Sequence, residues 1–159
     1  MSREIKFRGK DSDTGEWRYG YYVQHEKVTL CPVYENKEAF EKADVENTEH
    51  YIIFDGFFDW KMTRAFYRAD VDGKTVGKYT GIKDCNGKEI YEGDIVVVGQ
   101  DTGNKYDRYI MTFNDDSHSY LAKQQGTLGS YIGPGYWNDK LMVIGNIYDN
   151  PELIRSDVI

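Results

Sequence analysis

The sequence predicts a mainly β protein (α+β, with few short helices). An N-terminal β meander with one short helix precedes a small SH3-like antiparallel barrel. Short runs rich in Val, Ile, Tyr and Phe recur along the chain, as is typical of strands. Clusters of Gly, Asn and Asp separate these runs, as is typical of turns. The chain also has 14 tyrosines but only 3 prolines, a balance that favours strands.

The first strands are predicted from alternation of apolar and polar residues. Ile5 and Phe7 alternate with polar neighbours, and the Asp11–Gly15 segment has the composition of a turn. Glu16–Val23 continues with aromatic residues at strand spacing, and Val28–Tyr34 is a plausible partner strand. These elements make up the predicted meander.

A short helix and a polar link complete the N-terminal half. Lys37–Val45 has a brief apolar stripe at helical spacing, and Tyr51–Phe54 reads as a short buried strand. Residues 55–68 stay unassigned, since periodicity does not decide between strand and helix there. Arg68–Lys74 is polar, contains Gly and precedes a nearly pure β pattern. The predicted subdomains are therefore residues 1–73 and 74–159.

The second half has closely spaced short strands, a spacing that is typical of a small barrel. The predicted strands are Thr75–Ile82, Lys88–Tyr91, Asp94–Gly99, Tyr106–Phe113, His118–Lys123 and Leu141–Ile147. Ile95–Val98 is expected to pack on both faces. A final helical turn is predicted with Pro151 in its first position, because proline lacks the N–H that a first turn leaves unused.

Two tight turns give the most specific local signal. Asn86-Gly87 lies between strand-like runs and predicts a hairpin with a type I′ turn, in which both central residues have positive φ. Glu92-Gly93-Asp94 predicts a second turn, with Gly93 at positive φ and Asp94 bonding local backbone N–H groups.

The segment around these turns resembles a known family. Val76-Gly-Lys-Tyr-Thr-Gly-Ile-Lys-Asp-Cys-Asn-Gly-Lys-Glu-Ile-Tyr-Glu-Gly-Asp-Ile-Val96 is similar to the signature of the YopX family, small proteins found mostly in phages and prophages. Arg3–Asp11 resembles the family's opening and Val143–Leu153 its closing. The resemblance implies a mostly β fold with some α, self-association and phage or prophage origin. It implies no established activity and no catalytic residues.

Composition narrows the class of protein. At 159 residues the chain can form one core or two small subdomains. Its net charge of −7 lowers the odds of nucleic-acid binding, although a local basic patch would override that average. Neither a signal peptide nor a membrane span is predicted. Cys31 and Cys85 are interpreted as free thiols in a reducing cytoplasm, with Cys85 exposed beside its turn.

No catalytic, cofactor-binding or metal-binding residues are predicted. The histidines lie far apart without metal-ligand spacing; they are His25, His50 and His118. The carboxylates of Glu89, Glu92 and Asp94 could act as an acid/base pair. Turn chemistry accounts for the same residue types, and that interpretation is favoured.

Two aromatic segments are candidate surfaces. The predicted interaction surface lies in a glycine-rich loop and comprises Leu128, Tyr131, Ile132, Tyr136 and Trp137. These apolar groups either promote association or fold back to complete the core, and the two readings are evenly balanced. In the second segment, Trp17, Tyr19 and Tyr21 with Arg18 and Lys27 could stack nucleobases, but a core-facing strand is favoured.

The first hypothesis is therefore a phage or prophage accessory protein of unknown biochemical activity. It would be non-enzymatic and cytoplasmic in the bacterial host, without membrane contact, and act as an oligomeric protein-interaction module. Its partners would be further copies of itself and an unknown host or phage protein. The alternative is a β-barrel protein that binds single-stranded nucleic acid.

Overall fold

The computed structural model describes residues 5–27, 37–38, 48–56, 65–99, 103, 107–124, 131–132 and 140–154, with the backbone alone at residues 65, 131 and 132. These residues form a mainly β fold of antiparallel strands, which confirms the predicted class. The strands are β1 (Phe7–Asp11), β2 (Trp17–Glu26), β3 (Thr48–Gly56), β4 (Ala65–Lys83), β5 (Glu89–Tyr91), β6 (Asp94–Val98), β7 (Arg108–Asn114), β8 (Ser119–Gln124), β9 (Tyr131–Ile132) and β10 (Leu141–Asn146). A 3-10 turn at Pro151–Leu153 follows, with proline in its first turn as predicted.

The chain divides into two compact units, an N-terminal unit (Lys6–Val76) and a C-terminal unit that contains Gly77–Ile159. The long strand β4 begins in the first and ends in the second. Arg68–Lys74, predicted as a polar link, is therefore strand rather than loop. Its polar residues follow the two-residue period of a half-buried strand, in which Ala69 and Val71 are buried while Asp70 and Asp72 are exposed.

In the N-terminal unit the strand order is β1-β2-β3-β4, and β4 also pairs with β1. The register places Tyr22 opposite Ile52 and Ile52 opposite Ala69, so these side chains share one face. Ile52 is fully buried there, and the Phe7 and Tyr22 rings pack with centroids 5.5 Å apart. This inner face is the core of the unit.

The C-terminal unit contains a five-stranded antiparallel sheet of order β10-β6-β7-β8-β9. Its core cluster is Ile90, Val96, Met111, Ala122 and Leu141. A closed ring of the predicted SH3-like kind is not clearly formed. The reason is that the edge strands β9 and β10 are not paired with each other within the described residues, whereas a barrel needs every edge paired.

Strand β6 packs on both faces, as its apolar run predicted. Ile95, Val96 and Val97 are at most 1 % exposed. Val98 departs from the prediction because it is 38 % exposed at the end of the strand.

The hairpin between β4 and β5 has a different turn from the one predicted. Gly87 has φ +82°, but His118 is the only residue other than glycine with positive φ among those described, so Asn86 does not adopt the type I′ conformation. The Gly87 N–H donates to the Asp84 carbonyl, and the Asp84 N–H donates to the Lys88 carbonyl. This pattern is a three-residue loop, a turn followed by a left-handed glycine.

Other predicted elements lie wholly or mostly outside the described residues. The Val28–Tyr34 strand is one of them. Of the Lys37–Val45 helix, only Lys37 and Glu38 are described, and both are helical.

Candidate interaction surface

The outer face of β2 is an aromatic strip that is half-buried at Trp17 and exposed from Tyr19 to Val23. Trp17, Tyr19, Tyr21 and Val23 alternate along the strand, away from the inner face. Tyr19 is 45 % exposed, Tyr21 64 % and Val23 39 %. The favoured prediction that these aromatic residues face a core is therefore wrong for Tyr19 and Tyr21, whereas Trp17 is half-buried. Alternation correctly predicted that these side chains lie on one face of β2. Only the tertiary structure shows which of the two faces of the strand is buried.

The cations beside these rings come from β1 and the residue before it. The register places Arg8 opposite Tyr19. The Arg8 guanidinium carbon lies 4.7 Å from the Trp17 ring centroid, and the Lys6 ammonium lies 5.9 Å from the Tyr19 centroid. Both separations allow cation–π attraction. Arg8 is itself buried, with 4 % of its surface exposed, and Lys6 is half-buried. We name these four residues, with Tyr21 and Val23, the β2 face.

The two cations proposed from sequence lie elsewhere. Arg18 alternates onto the opposite face of β2, where its Nε donates to Asp11 at 3.0 Å. The Lys27 ammonium lies 2.6 Å from a Glu49 oxygen. Sequence alone missed Lys6 and Arg8, although the Asp11–Gly15 turn joining β1 to β2 was the signal that could have found them.

A carboxylate network lies on β3 beside the β2 face. The register places Val23 opposite Tyr51, which is buried, and the Tyr51 hydroxyl donates to Glu49. Hydrogen bonds from Lys27 and Tyr51 lower the pKa of Glu49 below its usual range. The hydrogen bond to Glu49, and then burial, raise the pKa of Tyr51. The surface thus has cations on its β1 side and a paired carboxylate on its β3 side.

The glycine-rich loop predicted as an interaction surface is described only at two residues. Tyr131 and Ile132 form β9, which pairs with Lys123 and Ala122 of β8. Leu128, Tyr136 and Trp137 lie outside the described residues. The choice between an interface and a core-covering loop therefore stays a prediction.

The carboxylates of Glu89, Glu92 and Asp94 all accept hydrogen bonds from within the signature segment, Val76–Val96. Asp94, which is 1 % exposed, accepts from the Tyr91 N–H at 2.8 Å, as the turn interpretation predicted. Glu92 accepts from the Lys78 N–H at 3.0 Å, and Glu89 accepts from the Tyr91 hydroxyl at 2.6 Å. These bonds hold β4, β5 and β6 together.

Asp84 is a further carboxylate of this segment, and sequence reasoning did not single it out. It is 7 % exposed and accepts from the N–H groups of Asn86 and Lys88 at 2.8 Å and of Val143 at 3.1 Å. Burial by itself raises the pKa of Asp84, but these backbone donors outweigh it and hold the pKa below the usual value. Asp84 thereby attaches the hairpin to β10.

The remaining candidates for chemistry are dispersed. His50 Nδ1 lies 2.5 Å from the Tyr22 hydroxyl, whereas His25 and His118 are exposed. Across the described ranges, no group of three or more His, Cys, Asp or Glu residues is placed to hold a metal ion. Cys85 is an exposed free thiol, as predicted, and Cys31 is not described. Among the described residues, no helix is long and apolar enough to cross a membrane.

Fold and surface together define the class: a mainly antiparallel β protein with an exposed aromatic face in its N-terminal unit. The sequence model of the YopX protein family matches residues 6–155, which is most of the chain. The chain therefore belongs to the YopX family, and the resemblance drawn from its motifs is confirmed.

A solved structure supports the fold. The chain is similar to the crystal structure of protein EF1440 from Enterococcus faecalis, with a TM-score of 0.51 and 21 % sequence identity. The alignment covers 97 % of this chain and 100 % of that protein. At this identity the likeness concerns the fold alone. The search of curated proteins found no match.

Proposed function

We propose that this YopX-family chain is a non-enzymatic accessory protein that acts through protein–protein contacts and self-associates. The observation that carries the proposal is the exposure of Tyr19, Tyr21 and Val23 on a single face. Exposed aromatic and aliphatic groups on one surface favour association, since their burial removes apolar area from water. Phage or prophage origin, an unknown host or phage partner and action in the bacterial cytoplasm are part of the proposal and rest on the family resemblance.

A non-enzymatic role is supported by the carboxylates. Asp84, Glu92 and Asp94 each accept backbone N–H groups that fix turns or strand pairings. Their arrangement is explained by folding without a catalytic role.

The test is the mass in solution by light scattering. We expect the wild-type chain to exceed monomer mass at micromolar concentration and the Tyr19→Ser/Tyr21→Ser variant to approach monomer mass. Phe113→Ser is a matched control, because Phe113 is a 38 % exposed aromatic residue in the C-terminal unit. A monomeric wild-type chain would overturn self-association. An oligomer unaffected by the double substitution would place the contact elsewhere.

Binding of single-stranded nucleic acid is a second candidate, supported by the exposed Tyr19 and Tyr21 rings of the β2 face with Lys6 beside them. It is the weaker one because Lys6 and Arg8 already lie against the Tyr19 and Trp17 rings and the net charge is −7. Fluorescence anisotropy with a labelled oligothymidylate at low and high salt tests it. Tight, salt-sensitive binding would favour this function, and no binding at low salt would exclude it.

A further inference from the structure

The turn of the β4–β5 hairpin contains Asn86-Gly87, the only Asn-Gly pair in the sequence. Both residues are exposed, and a Cβ built on Gly87 would have no atom within 4 Å. Asparagine followed by glycine is prone to spontaneous deamidation, because glycine has no side chain to obstruct attack by its own backbone nitrogen on the asparagine side chain. None of the functional assignments above uses this pair.

The reaction needs only these two residues and water, which reaches them at the surface. The Gly87 backbone nitrogen loses its proton and attacks the side-chain Cγ of Asn86. A bond forms between this nitrogen and Cγ, the Cγ–Nδ2 bond breaks, and the amide nitrogen leaves as ammonia. Water then opens the resulting cyclic imide at either carbonyl carbon. The product at position 86 is aspartate or isoaspartate, and in isoaspartate Cβ has become part of the main chain.

Hydrogen bonds within the turn oppose this attack in the folded chain. The Gly87 N–H donates to the Asp84 carbonyl at 2.9 Å, so the nitrogen that has to lose its proton is engaged. The N–H groups of Asn86 and Lys88 each donate to Oδ1 of Asp84 at 2.8 Å and hold the turn closed around that side chain. The hairpin therefore has to open locally before the reaction proceeds, and exposed turns open at a lower cost in free energy than core strands.

The modification would act on the buried carboxylate of Asp84. The Asn86 side-chain amide is hydrogen-bonded to this carboxylate, and Oδ2 of Asp84 accepts the Val143 N–H of β10 at 3.1 Å. Deamidation replaces the donating amide by a second negative charge beside Asp84, and neighbouring carboxylates disfavour each other's ionised form. In isoaspartate the longer main chain also shifts the N–H groups that Asp84 accepts.

From these contacts we infer that Asn86 is a site of spontaneous deamidation, that opening of the β4–β5 hairpin limits its rate, and that the modification loosens the attachment of the hairpin to β10. Asp84 has a part in both effects. It slows the reaction because it holds the turn closed, and it transmits the new charge to Val143 because it bonds to both segments.

The first experiment incubates the whole chain at mildly alkaline pH and follows modification by peptide mapping with mass spectrometry. We expect Asn86 to react about tenfold or more slowly in the folded chain than in the chain denatured in urea at the same pH. In folded Asp84→Asn the reaction should be about threefold or more faster than in folded wild type, because the turn loses its carboxylate acceptor. Asn114 is the internal control, since it lies at the β7–β8 turn and is followed by Asp115 rather than glycine. It should keep its amide over the same period.

The second experiment measures hydrogen exchange at the Val143 N–H. We expect exchange in Asn86→Asp to be about tenfold faster than in wild type, because the second carboxylate weakens the Asp84 acceptor. Gln24→Glu is the matched control, since it makes the same change from amide to carboxylate at an exposed position of β2. It should leave exchange at Val143 unchanged.

Each part of the inference has an outcome that would overturn it. An unmodified folded chain, after a period that fully modifies the denatured chain, would remove Asn86 as a site in the native protein. Equal rates in the folded and denatured chains would show that hairpin opening does not limit the reaction. Unchanged exchange at Val143 in Asn86→Asp would show that the modification does not reach β10. These outcomes do not depend on self-association, which light scattering tests separately.

Discussion

At the scale of the residue, buried carboxylates of the C-terminal unit act as backbone acceptors. Asp84 joins three N–H groups from two parts of the chain, Asn86 and Lys88 in the hairpin and Val143 in β10. Asp94 accepts one backbone N–H, that of Tyr91 in its own turn. Buried donors without an acceptor cost free energy, so these side chains stabilise the connections they make.

Asp84→Asn should lower the free energy of unfolding by about 1–3 kcal/mol, because the amide is a weaker acceptor and brings donors of its own. The folded pKa of Asp84 lies below the usual 3.8. Its charge therefore contributes stability above that pH and loses the contribution as pH falls through the folded pKa.

Urea denaturation of wild type and variant between pH 2.5 and 6 would measure this. We expect the difference between the two to be constant above about pH 5 and to shrink below about pH 4. A difference that stays constant down to the lowest pH would contradict the proposed role of the charge.

At the scale of the element, glycine lets the signature segment turn twice. Gly87 and Gly93 have φ of +82° and +80°, a region that L side chains rarely adopt. Gly93 is buried, and its N–H donates to the Met111 carbonyl while its carbonyl accepts from the Ile147 N–H. One turn therefore fixes the position of β7 and of the chain after β10.

Alanine at these two glycines should separate backbone strain from packing. Gly87→Ala should cost about 1 kcal/mol from strain alone, since no atom lies within 4 Å of the added Cβ. Gly93→Ala should cost roughly 1 kcal/mol more, because its Cβ would lie 3.2 Å from the Tyr148 ring. Equal costs in chemical denaturation would show that Tyr148 moves aside freely.

At the scale of the whole molecule, two surfaces are candidates for self-association. Tyr19, Tyr21 and Val23 of the β2 face are exposed in the structure. The loop with Leu128, Tyr136 and Trp137 is predicted from sequence. A single self-complementary surface closes a dimer, whereas two different surfaces can build larger assemblies. A molecular mass above that of a dimer would therefore indicate that more than one surface takes part in self-association.

Because the sequence hypothesis places a contact at the loop, we expect Tyr136→Ser/Trp137→Ser to form smaller assemblies than wild type. Light scattering measures the mass, and circular dichroism checks that the variant is folded. If the mass is unchanged in a folded variant, the loop is not a contact and the β2 face becomes the better candidate.

The sequence by itself determined the β class, most strand positions and the family. Its local signals depend only on neighbours: a two-residue period for Trp17–Val23, positive φ at Gly93, and proline at the start of the last turn. These features do not depend on distant residues, because alternation and turn chemistry are set by short-range interactions.

The tertiary structure alone decided which faces are covered and which distant groups meet. Alternation shows that Tyr21 shares a face of its strand with Tyr19, but it does not show whether that face is buried. Burial depends on which other elements pack against the strand. The meeting of Asp84 with Val143 joins residues 59 positions apart. The Asp11 turn and Tyr67 on β4 likewise line one cleft of the N-terminal unit. Such contacts depend on strand order and register, which local sequence patterns do not contain.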